Sequence, residues 1–230
     1  MTARHTPYFN LLDALKTPGC ALCTLGRTAV ANFMDSMLYE YVNDTEMQQR
    51  LTEAHGFCAT HSRLLLTYHN ALGITILYNA IFRQLETELP QGQEESASWF
   101  DRLAGQMGHD SSPKHLAAHA PCPACQIRDE TAERALNVLH AHQQDADLAA
   151  AWQTSDGLCL PHLRQALDTL DGPAYAMLLS HQRQIWQTLR VQLSEFIRKN
   201  DHRFQHEGFS EESDAWRRAV EFTSGALDVF

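Results

Sequence analysis

CALC at residues 20–23 and GFCATH at residues 56–61 decide how this chain reads, because both return later as CPAC at 122–125 and GLCLPH at 157–162. Thirty-four residues separate Cys23 from Cys58, and thirty-three separate Cys125 from Cys159. A glycine, Gly56 or Gly157, then an apolar residue precede each later pair. All six cysteines of the chain fall in these motifs. Self-similarity at nearly equal spacing is the signature of an internal repeat.

The text around the motifs repeats as helix. After the first CxxC, Val30, Phe33, Met34, Met37, Leu38, Tyr41 and Val42 follow the i, i+3, i+4, i+7 spacing of an amphipathic helix. After the second, Ala132, Ala135, Leu136 and Leu139 form a weaker stripe. Asn43 with Glu46 reads as a capping box that opens a short helix. A further helix begins at each CxxH, and a long one closes each half, over Ile74–Leu85 and Tyr175–Ile197. Ser210, followed by Glu211 and Glu212, reads as the N-cap of a terminal helix carrying Trp216, Ala219 and Val220 on one face. Strand signals are absent. The expectation is an all-α protein of two related helical repeats, each with a Cys3His metal site, plus a C-terminal helix. The first repeat with its site spans 1–90 and a polar linker spans 91–119, with one short helix near 94–104. The second repeat with its site spans 120–200, and a helical tail spans 201–230.

Two residues between ligands let one turn of chain aim both side chains at one point, and on a helix i and i+3 share a face. CxxC alone also occurs in redox proteins. Joined to CxxH it supplies three thiolates and an imidazole, a regular set for tetrahedral zinc. The spacing assigns Cys20, Cys23, Cys58 and His61 to one site, and Cys122, Cys125, Cys159 and His162 to the other. Cys58 and Cys159 are placed to open helices, where the macrodipole favours a thiolate. Two other readings are weighed: buried apolar cysteines, and disulfides within each CxxC that leave Cys58 and Cys159 unexplained. Zn2+ at two sites leads. Two iron–sulfur clusters are the alternative, since histidine can replace a thiolate in some clusters.

Composition narrows the function classes. With 230 residues, 44% hydrophobic and 20% charged, the chain can build a core without a metal. A net charge of −10 and no basic stripe argue against nucleic acid and against anionic membrane surfaces. No run approaches a membrane span and no secretory h-region follows Met1, so a cytoplasmic location is expected. Nucleophile-elbow, phosphate-loop, dinucleotide-fold and HExxH patterns are absent, which leans away from an enzyme. Of the thirteen histidines, His202 and His206 with Glu207 could form a further site, although a solvated helix end explains them as well. His109, His115 and His119 precede Cys122 as linker histidines that could supply an alternative ligand. His69 and His181 could support the ligands from behind, as could Glu40 and Asp44 beside His61.

CALC at 20–23, VND at 42–44, GFCATH at 56–61, CPAC at 122–125, GLCLPH at 157–162 and EESDAWRRA at 211–219 together resemble an uncharacterised bacterial family of the domain-of-unknown-function type. The resemblance covers most of the chain and implies the layout without an activity. A zinc-stabilised scaffold or protein-interaction role, with an unknown protein partner, is therefore the leading expectation. An iron–sulfur protein for electron transfer or redox sensing is the second, and a metal-dependent enzyme of unknown substrate the third.

Overall fold

The computed structural model describes residues 4–89, 116–226 and 229. Among the described residues every regular element is a helix. The α-helices in chain order are α1 (Thr6–Ala14), α2 (Ala21–Tyr39), α3 (Thr45–Glu53), α4 (Ala59–Leu66) and α5 (Ala71–Glu88), then α6 (Pro123–Ala141), α7 (Ala146–Thr154), α8 (Leu160–Thr169), α9 (Gly172–Lys199) and α10 (Ala215–Ser224), with a short 3-10 turn at Gln205–Glu207. The all-α class with two related sets of helices is as the sequence predicts. Helices α2 and α6 are 19 residues each, and α3 and α7 are 9 each. None of the described helices is long and apolar enough to cross a membrane. The linker helix expected near 94–104 lies outside the described residues, as do His109 and His115.

Local chemistry sets the boundaries. Asp44 accepts the Met47 N–H at 2.8 Å and opens α3, so the cap is Asp44 rather than Asn43. Asp145 does the same for α7, accepting from Asp147 and Leu148. The Asn70 side chain accepts from Gly73 at 2.9 Å and starts α5. Proline in the first turn, where a missing N–H costs nothing, marks α1, α8 and α9. The terminal helix begins at Ala215, later than Ser210. The intervening carboxylate Glu212 is buried, accepts from Lys199 Nζ at 2.7 Å, and takes the Ser210 N–H and hydroxyl. A carboxylate held that way fixes a turn instead of a first helical turn.

The chain divides into two compact units that do not follow the repeat boundary. One contains Met1–Asn32 and Ile127–Phe230, the other Phe33–Gln126. In the first, Tyr8, Leu11 and Leu15 of and after α1 pack with Leu136 and Leu139 of α6, Trp152 of α7, Leu163 of α8 and Leu178 of α9. Helix α10 lies against α8 and α9. In the second, α5 lies against α3, and Met34, Met37, Leu38, Leu51, Leu65, Leu77 and Ile81 are buried. Burying a side chain of that size is worth about 2 kcal/mol, so each unit has a core that does not depend on a metal for its apolar content.

Candidate metal centres

Each unit contains one group of three cysteines and one histidine. Cys20, Cys23, Cys159 and His162 converge in the first, and Cys58, His61, Cys122 and Cys125 in the second. The eight residues singled out in the sequence are all brought together, but the pairing differs from the expected one. Each CxxC joins the CxxH of the other repeat. Helix length supplies the reason. The 19 residues of α2 carry the chain about 28 Å from its CxxC, and the 9 residues of α3 return it by at most about 13 Å. Only drawn-out connecting segments would bring Cys58 back to Cys20, so the helix lengths favour the crossed pairing, and the same lengths in α6 and α7 favour it for Cys159.

Both centres are built from two helix N-termini. Cys58 and Cys159 are the N-cap residues of α4 and α8, with extended backbone at φ −63°, ψ 168° and φ −66°, ψ 160°. His61 and His162 sit one turn further on, both buried. Cys23 and Cys125 lie in the first turns of α2 and α6, with Cys20 and Cys122 just before those helices. Unpaired N–H groups and the positive dipole end at such positions favour negative sulfur.

The first centre places His162 Nδ1 3.5 Å from Cys20 Sγ, 3.4 Å from Cys23 Sγ and 3.2 Å from Cys159 Sγ, with Cys23 and Cys159 sulfurs 3.7 Å apart. The second places His61 Nδ1 3.2 Å from Cys58 Sγ, 3.6 Å from Cys122 Sγ and 3.4 Å from Cys125 Sγ, with Cys58 and Cys125 sulfurs 3.7 Å apart. Sulfurs at these distances are not disulfides, whose S–S bond is about 2 Å. A tetrahedral ion with Zn–S near 2.3 Å and Zn–N near 2.05 Å sets its ligands about 3.8 Å (S to S) and about 3.6 Å (S to N) apart. The donor set and its dimensions are compatible with metal binding at both centres.

Crowded sulfurs compete for charge. Hydrogen bonds from Cys159 and Cys23 hold the Cys20 thiol well below its ordinary value despite burial. Cys159 draws Cys23 down, but the Cys20 sulfur and burial outweigh it and push Cys23 up to about 12. Cys159 is itself pushed up by Cys20 and Cys23. Burial lifts Cys58, yet the His61 and Thr60 N–H groups and the Cys125 and Cys122 thiols bring it below its ordinary value. A divalent cation would remove the competition by stabilising all three thiolates together.

The centres differ in cover. Cys23 and Cys159 are buried, and Val229 packs against both. Arg128 holds that terminal segment by donating to the Val229 carbonyl at 2.9 Å. A cavity of about 810 Å3 opens beside the first centre, bounded by Asp156, His181 and Ile185 and by Arg217 and Glu221 of α10. In the second centre Cys58, Cys122 and Cys125 are all partly exposed.

Of the other residues flagged in the sequence, His181 lies 3.0 Å from the Ser155 carbonyl and 5.8 Å, ring to ring, from Trp152, so it supports the loop before Cys159. His69 is exposed at φ +52°. His202 is exposed beside Asp201, and Glu207 is paired with Arg198, so His202, His206 and Glu207 form no ligand group among the described residues. A third group does form: His55, Glu88 and His119. The signal for its histidines was visible, since HGFC and HAPC each place a histidine three residues before a cysteine. Glu88 gave none, because nothing in its helix text distinguishes it from a solvated glutamate.

Sequence comparison finds an uncharacterised relative. The chain is 24% identical over 220 residues to "Uncharacterized 23.9 kDa protein in xynA 3'region" of Caldicellulosiruptor sp. (strain Rt8B.4), an alignment covering 94% of this chain and 99% of that one. No solved structure matches the chain. Residues 8–229 match the family described as "Family of unknown function (DUF6062)", and the chain belongs to that family.

Proposed function

We propose that this protein is a zinc-stabilised helical scaffold, in which each Cys3His centre holds one Zn2+ as a closed structural site. The ligand geometry carries the reading. Sulfur–sulfur separations of 3.7 Å and sulfur–nitrogen separations of 3.2–3.6 Å suit a single tetrahedral ion. An iron–sulfur cluster puts several irons between its thiolates and needs them further apart, so the same distances weigh against it. Four protein ligands leave no open position for a substrate, which separates these centres from catalytic zinc sites. Within each centre the ion would pin a helix N-terminus of one repeat to a helix N-terminus of the other.

The scaffold role rests on what the pins would hold and on what they leave outside. Helix α10 buries Ala215 yet exposes Trp216 and Val220, one turn apart on its outer face. An exposed tryptophan with an apolar neighbour is the kind of anchor that protein partners use.

Elemental analysis of protein purified without added metal tests the reading. Two zinc ions per chain, a colourless solution and a fall in Tm on chelation are expected, since structural zinc in small peptides contributes on the order of 10 kcal/mol. A brown preparation containing iron and sulfide, or a metal-free chain that melts unchanged, would overturn it.

A further inference from the structure

We infer that His55, Glu88 and His119 form a third, open site for a divalent transition-metal ion, separate from the two Cys3His centres and present in only one of the two units. Their ligand atoms lie within 4.8 Å of one another. His55 Nε2 is 3.0 Å from Glu88 Oε2, and His119 Nε2 is 3.8 Å from Glu88 Oε1. A tetrahedral ion held at about 2.05 Å by nitrogen and oxygen spaces such atoms about 3.3 Å apart, between the two observed values.

Hydrogen bonding alone does not account for the arrangement. His55 Nε2 is buried and makes no directed hydrogen bond, although the Glu88 oxygen is so near. A buried ring nitrogen without a directed partner is costly, and a metal ion would satisfy it and the carboxylate together. Gln84 Nε2 donates to Glu88 Oε1 at 2.9 Å and orients the carboxylate.

The backbone also places the histidines with some care. Helix α3 ends in a Schellman motif, with Gly56 N–H bonded to the Leu51 carbonyl at 2.8 Å and His55 N–H to the Thr52 carbonyl at 3.1 Å. His55 thereby takes the left-handed position, φ +51°, that glycine ordinarily fills. His119 is fixed through its own N–H to the Glu53 carbonyl at 2.8 Å. Each histidine precedes a thiolate of the neighbouring centre, Cys58 or Cys122, by three residues. The other unit lacks the set. Asp156 stands where His55 would and accepts the Gly19 N–H at 2.7 Å, while Thr17 and Leu189 stand at the positions of His119 and Glu88.

Two imidazoles and a carboxylate are borderline donors that suit zinc, cobalt, iron(II) or manganese. Three ligands leave room for water, and the His119 side chain is 68% exposed. The ion would be exchangeable and open to solvent, unlike a closed Cys3His ion.

The full chain, loaded with zinc and dialysed, is titrated with Co2+ while bound cobalt, retained zinc and the visible spectrum are followed. The expected result is one cobalt per chain without a thiolate-to-cobalt charge-transfer band. It is lost in both His119→Ala and Glu88→Gln, whose Tm and zinc content stay at the wild-type values. No bound cobalt, cobalt that persists in both variants, or cobalt that brings the thiolate band would overturn the inference. Fewer than two zinc ions with the cobalt site intact would count against the Cys3His reading and leave this one standing.

Discussion

His162 Nδ1 lies 3.5 Å from Cys20 Sγ, across 142 residues of chain and from one repeat to the other. An ion at that centre would close a loop of that length. Loop-closure entropy grows with the logarithm of loop length, so the tie acts mainly on the unfolded chain. Each unit then combines its own apolar core with one long-range tie.

The loops that present Cys58 and Cys159 rely on Gly56 and Gly157, at φ +91° and +76°. Their surroundings differ. A Cβ at Gly56 would meet Tyr78 and Ile81 no closer than 3.5 Å, whereas one at Gly157 would meet Ile185 Cδ1 at 2.6 Å and Gln182 Oε1 at 2.8 Å. Gln182 is buried and accepts the Leu158 N–H at 2.9 Å, so it cannot move aside freely. Gly56→Ala should cost about 1 kcal/mol from backbone strain, and Gly157→Ala about 3 kcal/mol once overpacking is added. Urea denaturation of the two variants checks the order. Equal costs would contradict the account of the Gly157 loop.

Asp145 joins α1 to α7. It accepts from the Tyr8 hydroxyl at 2.7 Å and from Arg4, besides capping α7. The Tyr8 hydrogen bond, with Arg4 and the Leu148 N–H, brings its carboxyl down to about 2 against the pull of desolvation. A depressed carboxyl stabilises the fold above its unfolded value, about 4, and that contribution is lost as pH falls towards the folded value. Asp145→Asn keeps a capping oxygen and removes the charge. Its Tm should sit below wild type at neutral pH, and the gap should narrow progressively below pH of about 4. A gap unchanged down to pH 3 would show that the charge is not responsible.

Accessibility should order the two centres. Three partly exposed cysteines surround the second, while Cys23 and Cys159 of the first are buried beneath Val229. A mild chelator with a thiol-coloured reporter should release the Cys58–His61–Cys122–Cys125 ion first, in two separable phases. Deleting residues 226–230 should speed the slow phase and leave the fast one. A single phase, or a deletion without effect, would contradict the assigned cover.

The eight candidate ligands were legible because two residues between ligands are enough to identify each pair. Their partnership was not, because spacings of thirty-four and thirty-three residues are the same whichever repeat a pair serves. Helix lengths carry part of that information, through the mismatch of α2 with α3, and only when converted into distance. Helix α1 has no capping or ligand motif to mark it, although Tyr8, Leu11 and Leu15 follow helical spacing and enter the core. The terminal helix begins at Ala215 and not at Ser210, since the burial of Glu212 against Lys199 depends on a residue thirteen positions away. His55 carries no signal for its conformation, because its left-handed backbone follows from the end of α3 and not from its own preferences.

The account turns on crossed assembly of the centres, and thiol labelling of Cys159→Ser tests it most directly. The zinc-loaded variant is alkylated under native conditions and each cysteine is read by peptide mass spectrometry. Crossed assembly predicts one zinc lost, Cys20 and Cys23 newly labelled, and Cys58, Cys122 and Cys125 as protected as in wild type. Labelling of Cys122 and Cys125 with Cys20 and Cys23 still protected would mean that each repeat closes its own site, and would contradict it.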